Sequence, residues 1–388
     1  MNKYLLFSMC SMFLGVAFFV LSGRWNLRIR GADHLSLPEK SWPPISVIVP
    51  ATGSDPAMAA AIRALVSQDY PAFELLFVTR GMDDPAAAVI SREIRGHPFA
   101  RHVCGGRAAA CGQKNHNLLA GVREADAACR ILVFCDCGHL APPGWLKTLV
   151  APIVLRQVEV TTAYHHVIPK DRRLATVGRA VNVLGMYLTQ GMPWLTEPWG
   201  GAAAFERSVF RELRVAELWA GNVVDDISLV KPLREAGIKA FLVPAACLST
   251  PLRDETMSGW SGWFIRQLLF LKFCLPVSWA AAGIVLYFMA ALLVLSAIQC
   301  VAWILGLIPA ANVLLSLAFL AAVGGAGAFL RTFHPAPGSR WRWLISVFVT
   351  LTVIAWCHFR TLLVREIHWR GITYRVTWKG RVKEIRGN

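Results

Sequence analysis

Acidic side chains occur at three points where an apolar run ends or a helix begins. They are Asp83-Asp84, Asp136 and Asp225-Asp226. Asp136 directly follows the apolar run 131–135, and ligands of open α/β sheets bind beyond the carboxyl ends of the strands. A carboxylate at such a place can hold a metal ion or a nucleotide sugar, or accept a proton. The competing interpretation is structural, because acids at turns and helix starts also cap free N–H groups.

Two further side chains in this part of the chain could take part in the same chemistry. Lys114, near the start of a predicted helix, can pair with a phosphate. His139, three residues after Asp136, can add a metal ligand. Each has a structural alternative, because a helix lysine is usually solvated and a histidine in a turn usually serves the turn.

The elements that must position these residues alternate between strand and helix. Five short apolar runs are predicted strands, at residues 45–49, 74–78, 131–135, 158–164 and 240–243. Predicted helices lie between them and begin near Asp55, Asp84, Gln113 and Ile227. This alternation predicts a mostly parallel, Rossmann-like sheet with a ligand crevice at one edge. The usual P-loop and G-x-G-x-x-G signatures of ATP and dinucleotide sites are missing from the sequence.

Long apolar runs make the chain more hydrophobic than an ordinary soluble protein. Its 388 residues are 55% hydrophobic and the mean hydropathy is +0.46. The runs predict a transmembrane helix at 1–23 and C-terminal transmembrane or interfacial helices at 276–364, of which 276–330 suffices for two spans. Residues 344–364 fit either a re-entrant or an interfacial helix. Between the runs lies a cytoplasmic α/β domain, 24–275, with an aromatic interfacial segment near 258–275; a basic tail, 365–388, follows.

The formal charge of +16 is concentrated beside the apolar runs. Arg24, Arg28 and Arg30 follow the first run, and seven basic residues follow the last, at positions 365, 370, 375, 379, 381, 383 and 386. Basic residues in these places indicate the cytoplasmic side and contact with anionic headgroups. The lipid bilayer is therefore the expected partner, and nucleic acid is not, because no nucleic-acid motif accompanies the charge. The ten cysteines show neither zinc nor disulfide spacing, which favours a reduced cytoplasmic compartment.

Several short segments carry a family resemblance when they are taken in chain order. They are 54–56 with 67–71, 74–78 with 83–86, 113–118, 135–138, 199–201 with 205–207, 225–226, and 368–371 with 374–375. In this order they resemble the ceramide glucosyltransferase family, a membrane branch of the family 2-type glycosyltransferases. Hopanoid-associated glycosyltransferases are close relatives of that family. The resemblance implies an α/β GT-A catalytic domain, Rossmann-like with a mostly parallel sheet, plus α-helical transmembrane segments.

The resemblance also implies which residues bind the donor. Asp84, with Asp83, would contact the nucleotide of a UDP-sugar, and Lys114 and Asn117 lie in the segment that follows in the family pattern. Asp136 would anchor a divalent cation, Mg²⁺ or Mn²⁺, together with the donor diphosphate. Such a cation neutralises the charge that develops on the leaving diphosphate.

On the acceptor side, the resemblance implies that Asp226, next to Asp225, is the general base. Arg266 matches the arginine of the family's Q/R-x-x-R-W motif. Trp263 and Gln267 replace the first and last residues of that motif. Because the first side chain of the motif can donate hydrogen bonds, its loss puts the substrate in doubt but not the fold.

Together these features predict an integral, multi-pass protein of a bacterial inner membrane with an inverting transferase activity. A hexose would pass from a UDP-sugar to a membrane lipid hydroxyl, with glucose and a ceramide-like acceptor as the leading pair. The alternatives are N-acetylhexosaminyl transfer to a hopanoid or other lipid, a polysaccharide synthase, a catalytically inactive nucleotide-binding scaffold, and a membrane-tethered nucleic-acid binder. The sequence leaves the oligomeric state open.

Overall fold

Apolar strands form the centre of the structure, a computed structural model that describes residues 3–30 and 42–387. The described strands are β1 Ile45–Pro50, β2 Phe73–Thr79, β3 Ala100–Cys104, β4 Ile131–Cys135, β5 Val160–Thr162, β6 His165–Pro169, β7 Ala202–Glu206, β8 Phe241–Leu242, β9 Leu248–Leu252, β10 Glu366–Trp369, β11 Ile372–Val376 and β12 Val382–Arg386. Seven of them form one sheet in the order β3-β2-β1-β4-β7-β5-β8. Strands β1 to β4 run parallel, and β7 is antiparallel to both of its neighbours. The predicted mostly parallel sheet is confirmed.

Helices cover both faces of this sheet and continue into the apolar C-terminal part of the chain. The described α-helices are α1 Lys3–Arg30, α2 Met58–Val66, α3 Pro85–Glu93, α4 Gln113–Glu124, α5 Trp145–Val154, α6 Leu174–Gln190, α7 Arg207–Glu212, α8 Val215–Trp219, α9 Val230–Glu235, α10 Met257–Cys274, α11 Pro276–Ile304, α12 Ala310–Arg331 and α13 Arg340–Thr361. One core joins α2, α3 and α5 to the sheet, and a second joins α4, α7, α8 and α9 to its other face. Because both faces are buried, the central strands are continuously apolar.

The parallel register brings the ends of three strands to one edge of the sheet. Pro50 of β1 lies opposite Val78 of β2, and Ile48 lies opposite Phe134 of β4. The residues that follow β1, β2 and β4 therefore meet at that edge, as the sequence predicted for Asp84 and Asp136.

Two predicted elements differ in detail from the structure. The predicted strand 158–164 is β5 alone, and the chain then turns into β6, which pairs with β9 in a separate two-stranded sheet. The helix predicted from Ile227 begins as a short 3₁₀ turn, Ile227–Leu229, before α9. The side chain of Asp226 accepts a hydrogen bond from the amide of Ile227 at this start, which holds the tight turn in place.

Within the described residues, three helices are long and apolar enough to cross a membrane, namely α11, α12 and α13. The first two correspond to the predicted pair. Helix α13 packs on α6 of the α/β domain, where Thr350 donates to the carbonyl of Gly178. Just before α13, His334 donates to the carbonyl of Val167 on β6, and at its end Lys272 of α10 donates to the carbonyl of Thr361. Both ends of α13 thus adjoin the same folded domain.

The basic tail forms a three-stranded antiparallel sheet, β10-β11-β12, which the sequence analysis did not anticipate. This C-terminal sheet docks on the α/β domain. The hydroxyl of Tyr374 accepts a hydrogen bond from the amide of Gln113 at 3.1 Å, and the amide of Val223 donates to the carbonyl of Gly380 at 2.9 Å. Gln113 opens α4 and Val223 lies just before Asp225, so the tail reaches two segments of the predicted site.

Candidate active site

Lys114 lies at the centre of the acidic cluster predicted from the sequence. Its Nζ is 2.8 Å from Asp136 Oδ1 and 2.9 Å from Asp225 Oδ2, and it also reaches the carbonyl of Gly200 at 3.4 Å. The first turn of α4 presents this side chain, β4 ends at Asp136, and the loop before the 3₁₀ turn carries Asp225. Three segments that are distant in sequence therefore meet at the ammonium group of Lys114. The alternative, in which Lys114 is an ordinary solvated lysine on a helix, is wrong.

Asp226 lies beside this cluster and faces the same crevice. Its Oδ1 accepts a hydrogen bond of 2.7 Å from the amide of Ile227, while its Oδ2 lies 3.4 Å from the amide of Gly200. The approach of the two loops requires glycine at position 200, because a Cβ there would stand 1.9 Å from Asp225 Oδ2. Among the described residues, Asp226 Oδ2 has this one long hydrogen bond, so it is the carboxylate oxygen best able to take a proton.

Burial sets the protonation chemistry of the cluster. Burial alone would lower the pKa of Lys114, but attraction by Asp136 and Asp225 outweighs it and the pKa is raised, so the ammonium stays charged. Burial, together with the neighbouring charge of Asp225, raises the pKa of Asp226 to about 6. A carboxylate with a raised pKa is a better proton acceptor than an ordinary surface acid. Asp226 thus has the properties of a general base near neutral pH.

Asp84 and Asp83, the predicted nucleotide contacts, occupy different environments. Asp84 is buried and caps α3, and its two oxygens accept from Thr52 Oγ1 at 2.8 Å and from the amide of Gly53 at 2.7 Å. It therefore fixes the loop after β1 at the crevice edge. Asp83 is largely exposed and lies 3.6 Å from Arg80. Direct contact of either acid with a nucleotide stays a prediction.

Asn117 and His139 lie next to the cluster; the amide of Asn117 is hydrogen-bonded at both ends, whereas His139 has a partner in the described residues for one ring nitrogen only. Asn117 is buried, donates to the carbonyl of Val78 and accepts from Gln113 Nε2 at 2.8 Å, so it braces the end of β2. His139 Nδ1 is 2.7 Å from Thr250 Oγ1, and its ring contacts Trp199. Burial lowers the pKa of His139 to about 4, so the imidazole is neutral at pH 7. The metal role of His139 and the donor role of Asn117 remain predictions.

Three arginines approach the same side of the crevice. Burial, followed by repulsion from Arg179 and Arg370, lowers the pKa of Arg266 to about 10. Within the described residues Arg266 has no carboxylate at ion-pair distance, and the buried Nε of Arg179 has no hydrogen-bond partner. Arg179 pairs only with Glu255. This excess of positive charge would be relieved by a bound polyanion such as a diphosphate.

Trp263, the residue that departs from the family motif, supports one of these arginines. The guanidinium of Arg179 lies over its ring, 4.5 Å from the centroid. A cation over an indole face is held electrostatically. The position that holds a polar side chain in the family pattern therefore orients an arginine from α6 in this chain.

Arg370, in the turn between β10 and β11, reaches the crevice from the C-terminal sheet. A Cβ on Gly53 would lie 3.0 Å from Arg370 Nη1, so the guanidinium stands over the loop that Asp84 holds. The turn places Arg370 at φ 50° and Gly371 at φ 79°, both in the left-handed region. Neither Arg179 nor Arg370 was predicted as a site residue: Arg179 lies in none of the family segments, and Arg370 was assigned only to the basic tail.

The residues present suit a cation only if the donor supplies further ligands. Within the described ranges 3–30 and 42–387, no group of three or more His, Cys, Asp or Glu side chains could hold a metal ion. Asp136, whose side chain is 33% exposed, lies at the crevice beside Lys114. Mg²⁺ is commonly held by one or two carboxylates with substrate phosphates and water, so a single aspartate fits an ion that enters with the nucleotide.

Comparison with known proteins settles the family. The model of glycosyl transferase family 21 matches residues 6–382. This chain belongs to glycosyl transferase family 21. Ceramide glucosyltransferase 1 of Caenorhabditis elegans is 24% identical to it over 228 residues, which are 54% of this chain and 46% of the relative. The chain therefore spans about half the length of this curated relative.

The fold of the family 21 protein is GT-A. Its structure is similar to the mannosyltransferase PcManGT from Pyrobaculum calidifontis, solved in complex with GDP-Man and Mn²⁺, with a TM-score of 0.54. That similarity covers 92% of this chain and 99% of the relative at 17% sequence identity. The predicted GT-A fold and the resemblance to ceramide glucosyltransferases are thus both confirmed.

Proposed function

We propose that this family 21 glycosyltransferase moves a hexose from a UDP-sugar to a membrane lipid hydroxyl, with inversion at the anomeric carbon. Glucose and a ceramide-like acceptor are the leading pair, because the curated relative is named a ceramide glucosyltransferase. The observation that carries the proposal is the Lys114 cluster. It joins Asp136 and Asp225 next to the buried acid Asp226, in a domain continuous with apolar membrane-length helices.

On the donor side, the loop held by Asp84 with Asp83 would receive the nucleoside, with α4 and its Asn117 behind it. Lys114, Arg266 and Arg370 would face the diphosphate, where their charges oppose the negative charge of the leaving group. Asp136 and, through its free ring nitrogen, His139 would hold a divalent cation, Mg²⁺ or Mn²⁺. When bound, this ion would supply further neutralisation of the diphosphate.

On the acceptor side, Asp226 Oδ2 would take the proton of the lipid hydroxyl. The acceptor oxygen forms its bond to the anomeric carbon as the bond from that carbon to the diphosphate oxygen breaks, and UDP leaves with the electron pair. One displacement of this kind inverts the anomeric centre. Asp225 would keep Lys114 in place and raise the pKa of Asp226 through its charge.

The membrane setting follows from the apolar helices. We propose a multi-pass protein of a bacterial inner membrane, with the catalytic domain 24–275 in the cytoplasm where UDP-sugars are made. Helix α10, the predicted interfacial segment, lies between this domain and α11 and carries Arg266. An acceptor lipid lying in the bilayer would thus reach the crevice without leaving the headgroup layer.

The test is transfer from radiolabelled UDP-glucose to ceramide by the purified full chain, compared with Asp226→Asn. The variant should lose transfer by about 10²- to 10⁴-fold, the usual contribution of a general base, while still binding UDP. Asp69→Asn, an exposed acid paired with Lys147, is the matched control and should keep full activity.

Lipid mass spectrometry of cells with and without the chain identifies the substrates directly. If the lipid missing from cells without the chain carries one hexose, the result supports the proposal. If it is a hopanoid that carries an N-acetylhexosamine, the substrates are those of the alternative instead. UDP binding without transfer from any UDP-sugar would overturn the enzyme proposal in favour of an inactive scaffold.

A further inference from the structure

A cavity of about 500 Å³ lies outside the catalytic crevice, where the C-terminal sheet meets the ends of α10 and α13. Its lining combines four basic residues with an apolar wall and contains no acid. The basic residues are Lys272, Arg365, Arg375 and Lys383, and the apolar ones include Phe273, Leu362, Val364 and Trp378. The volume is that of a small-molecule site.

One basic residue forms the rigid back of this cavity. Lys272 is buried, and its Nζ donates to the carbonyls of Thr361, Leu362 and Val364 at 2.6, 2.9 and 3.0 Å. These bonds satisfy carbonyls that α13 leaves free at its end, and they tie α10 to the start of the C-terminal sheet. The wall is therefore set before any ligand binds.

The other three basic residues are exposed and poorly neutralised. Within the described part of the chain, Arg365 and Lys383 make no ion pair, and Arg375 reaches Glu384 only at 4.0 Å. Arg375 also lies opposite Glu366 and Glu384 in the sheet, so most of the uncompensated charge is on Arg365 and Lys383. Cations that share one cavity repel one another. An anionic group with several acceptor oxygens would satisfy them together.

Exposed apolar side chains place the cavity at the depth of lipid headgroups. Leu363 is 92% exposed and Trp378 is 60% exposed. Phe273 lies three residues before α11, and Leu362 directly follows α13, so two helices of membrane length meet the cavity at their ends. Tryptophan beside arginine and lysine at helix ends is typical of the membrane interface.

We propose that this cavity binds the phosphate headgroup of an anionic glycerophospholipid. The phosphate accepts from Arg365, Arg375 and Lys383, while the acyl chains lie along Leu362, Leu363 and the start of α11. The bound lipid would join the C-terminal sheet, which carries Arg370, to the bilayer. The site is separate from the crevice, so the proposal does not depend on the identity of the transferred sugar.

Native mass spectrometry of the detergent-purified full chain tests this proposal, with phosphatidylglycerol and phosphatidylcholine as probes. The wild type should retain phosphatidylglycerol and not phosphatidylcholine. The triple variant Arg365→Ala/Arg375→Ala/Lys383→Ala should retain at least tenfold less phosphatidylglycerol. A control with the same charge change, Arg123→Ala/Arg211→Ala/Lys239→Ala, removes three exposed cations of the catalytic domain and should retain the lipid fully.

The single variants Arg365→Ala and Lys383→Ala, which remove only exposed side chains, should each reduce retention and guard against misfolding of the triple variant. Inorganic phosphate at millimolar concentration should not displace the lipid. Equal retention by the wild type and these variants, equal retention of the two lipids, or full displacement by inorganic phosphate would each overturn the proposal.

Discussion

At the scale of single residues, the acidic cluster depends on one lysine that balances two carboxylates. Asp136 and Asp225 both lie within 2.9 Å of Lys114 Nζ, and Asp226 stands beside them with no ion pair among the described residues. The ion pairs therefore distinguish the acids. The two paired acids hold the lysine, and the third has a raised pKa.

This division predicts a pH dependence of transfer. Asp226 must lose its proton to act as a base, so kcat/KM should rise as the pH passes through about 6, the raised pKa of its carboxyl. Asp225→Asn removes a negative charge that opposes ionisation of Asp226, and the acid limb of the profile should therefore move to lower pH. The measurement is kcat/KM for the UDP-sugar from pH 4.5 to 8. An unchanged limb in Asp225→Asn, with Asp69→Asn as control, would contradict the assignment of the base.

A second prediction concerns Trp263 and the arginine on its face. Trp263→Ala leaves Arg179 without the ring that holds it, and the KM for the UDP-sugar should rise about 3- to 30-fold, the equivalent of 0.5–2 kcal/mol for a cation–π contact. Trp263→Phe keeps an aromatic face, so its KM for the UDP-sugar should stay close to that of the wild type. Steady-state kinetics of both variants provide the check, and equal defects in Ala and Phe would show that the ring serves packing alone.

At the scale of secondary-structure elements, the C-terminal sheet completes the crevice from the far end of the chain. It docks through Tyr374 on Gln113 and through Gly380 on Val223, and these contacts carry the β10–β11 turn to Gly53. The crevice is thus not formed by one continuous stretch of sequence. Gly53 and Arg370, more than 300 positions apart, meet at its edge.

This docking predicts a defect in donor binding when the turn loses its cation. Arg370→Ala should raise the dissociation constant of UDP about tenfold or more, because a hydrogen bond to a charged group contributes about 1.5–3 kcal/mol. Arg386→Ala, on β12 and paired with Glu366, is the control and should bind UDP normally. Isothermal titration calorimetry measures both. Unaltered UDP affinity in Arg370→Ala would place its guanidinium outside the donor site.

At the scale of the whole molecule, the contacts of α13 bear on how the chain is arranged relative to the membrane. The loop before α13 and the end of α13 both bond to elements of the catalytic domain, and the C-terminal sheet does so as well. A helix whose two ends adjoin one folded domain would have both ends on the same side of a membrane. We infer that α13 is interfacial, which also explains why basic residues follow it.

This topology predicts the sides of the membrane for three sites. A tag after Asn388 and a cysteine at Glu124 should be accessible from the same face of membrane vesicles. A cysteine at Leu307, between α11 and α12, should be labelled only from the opposite face. Impermeant maleimide labelling of inverted and right-side-out vesicles measures this, with the exposed Cys104 replaced beforehand. Labelling of Leu307→Cys and the tag from one face would contradict an interfacial α13.

From the sequence alone follow the three strands at the centre of the sheet and the acids that lie near their ends. Continuous apolar runs and helix-start signals are local properties, so β1, β2, β4 and α4 lie where the pattern predicted them, whereas β3 and β7 were not predicted. The order of the family segments along the chain, which include Asp84, Asp136 and Asp225-Asp226, was enough to recognise a glycosyltransferase family. Lys114 and Arg266 were also recognised in advance, because they lie inside segments that match that family's motifs.

Only the tertiary structure decided how these acids differ and which basic residues join them. The distances from Lys114 to its two carboxylates depend on the packing of α4, β4 and the loop before α9, which no local pattern encodes. Arg179 and Arg370 reach the crevice from a distant helix and from the last sheet, and the basic tail became a folded sheet through its contacts with α10. Charge balance and burial arise from such long-range contacts, whereas strand and helix patterns arise from neighbours in the chain.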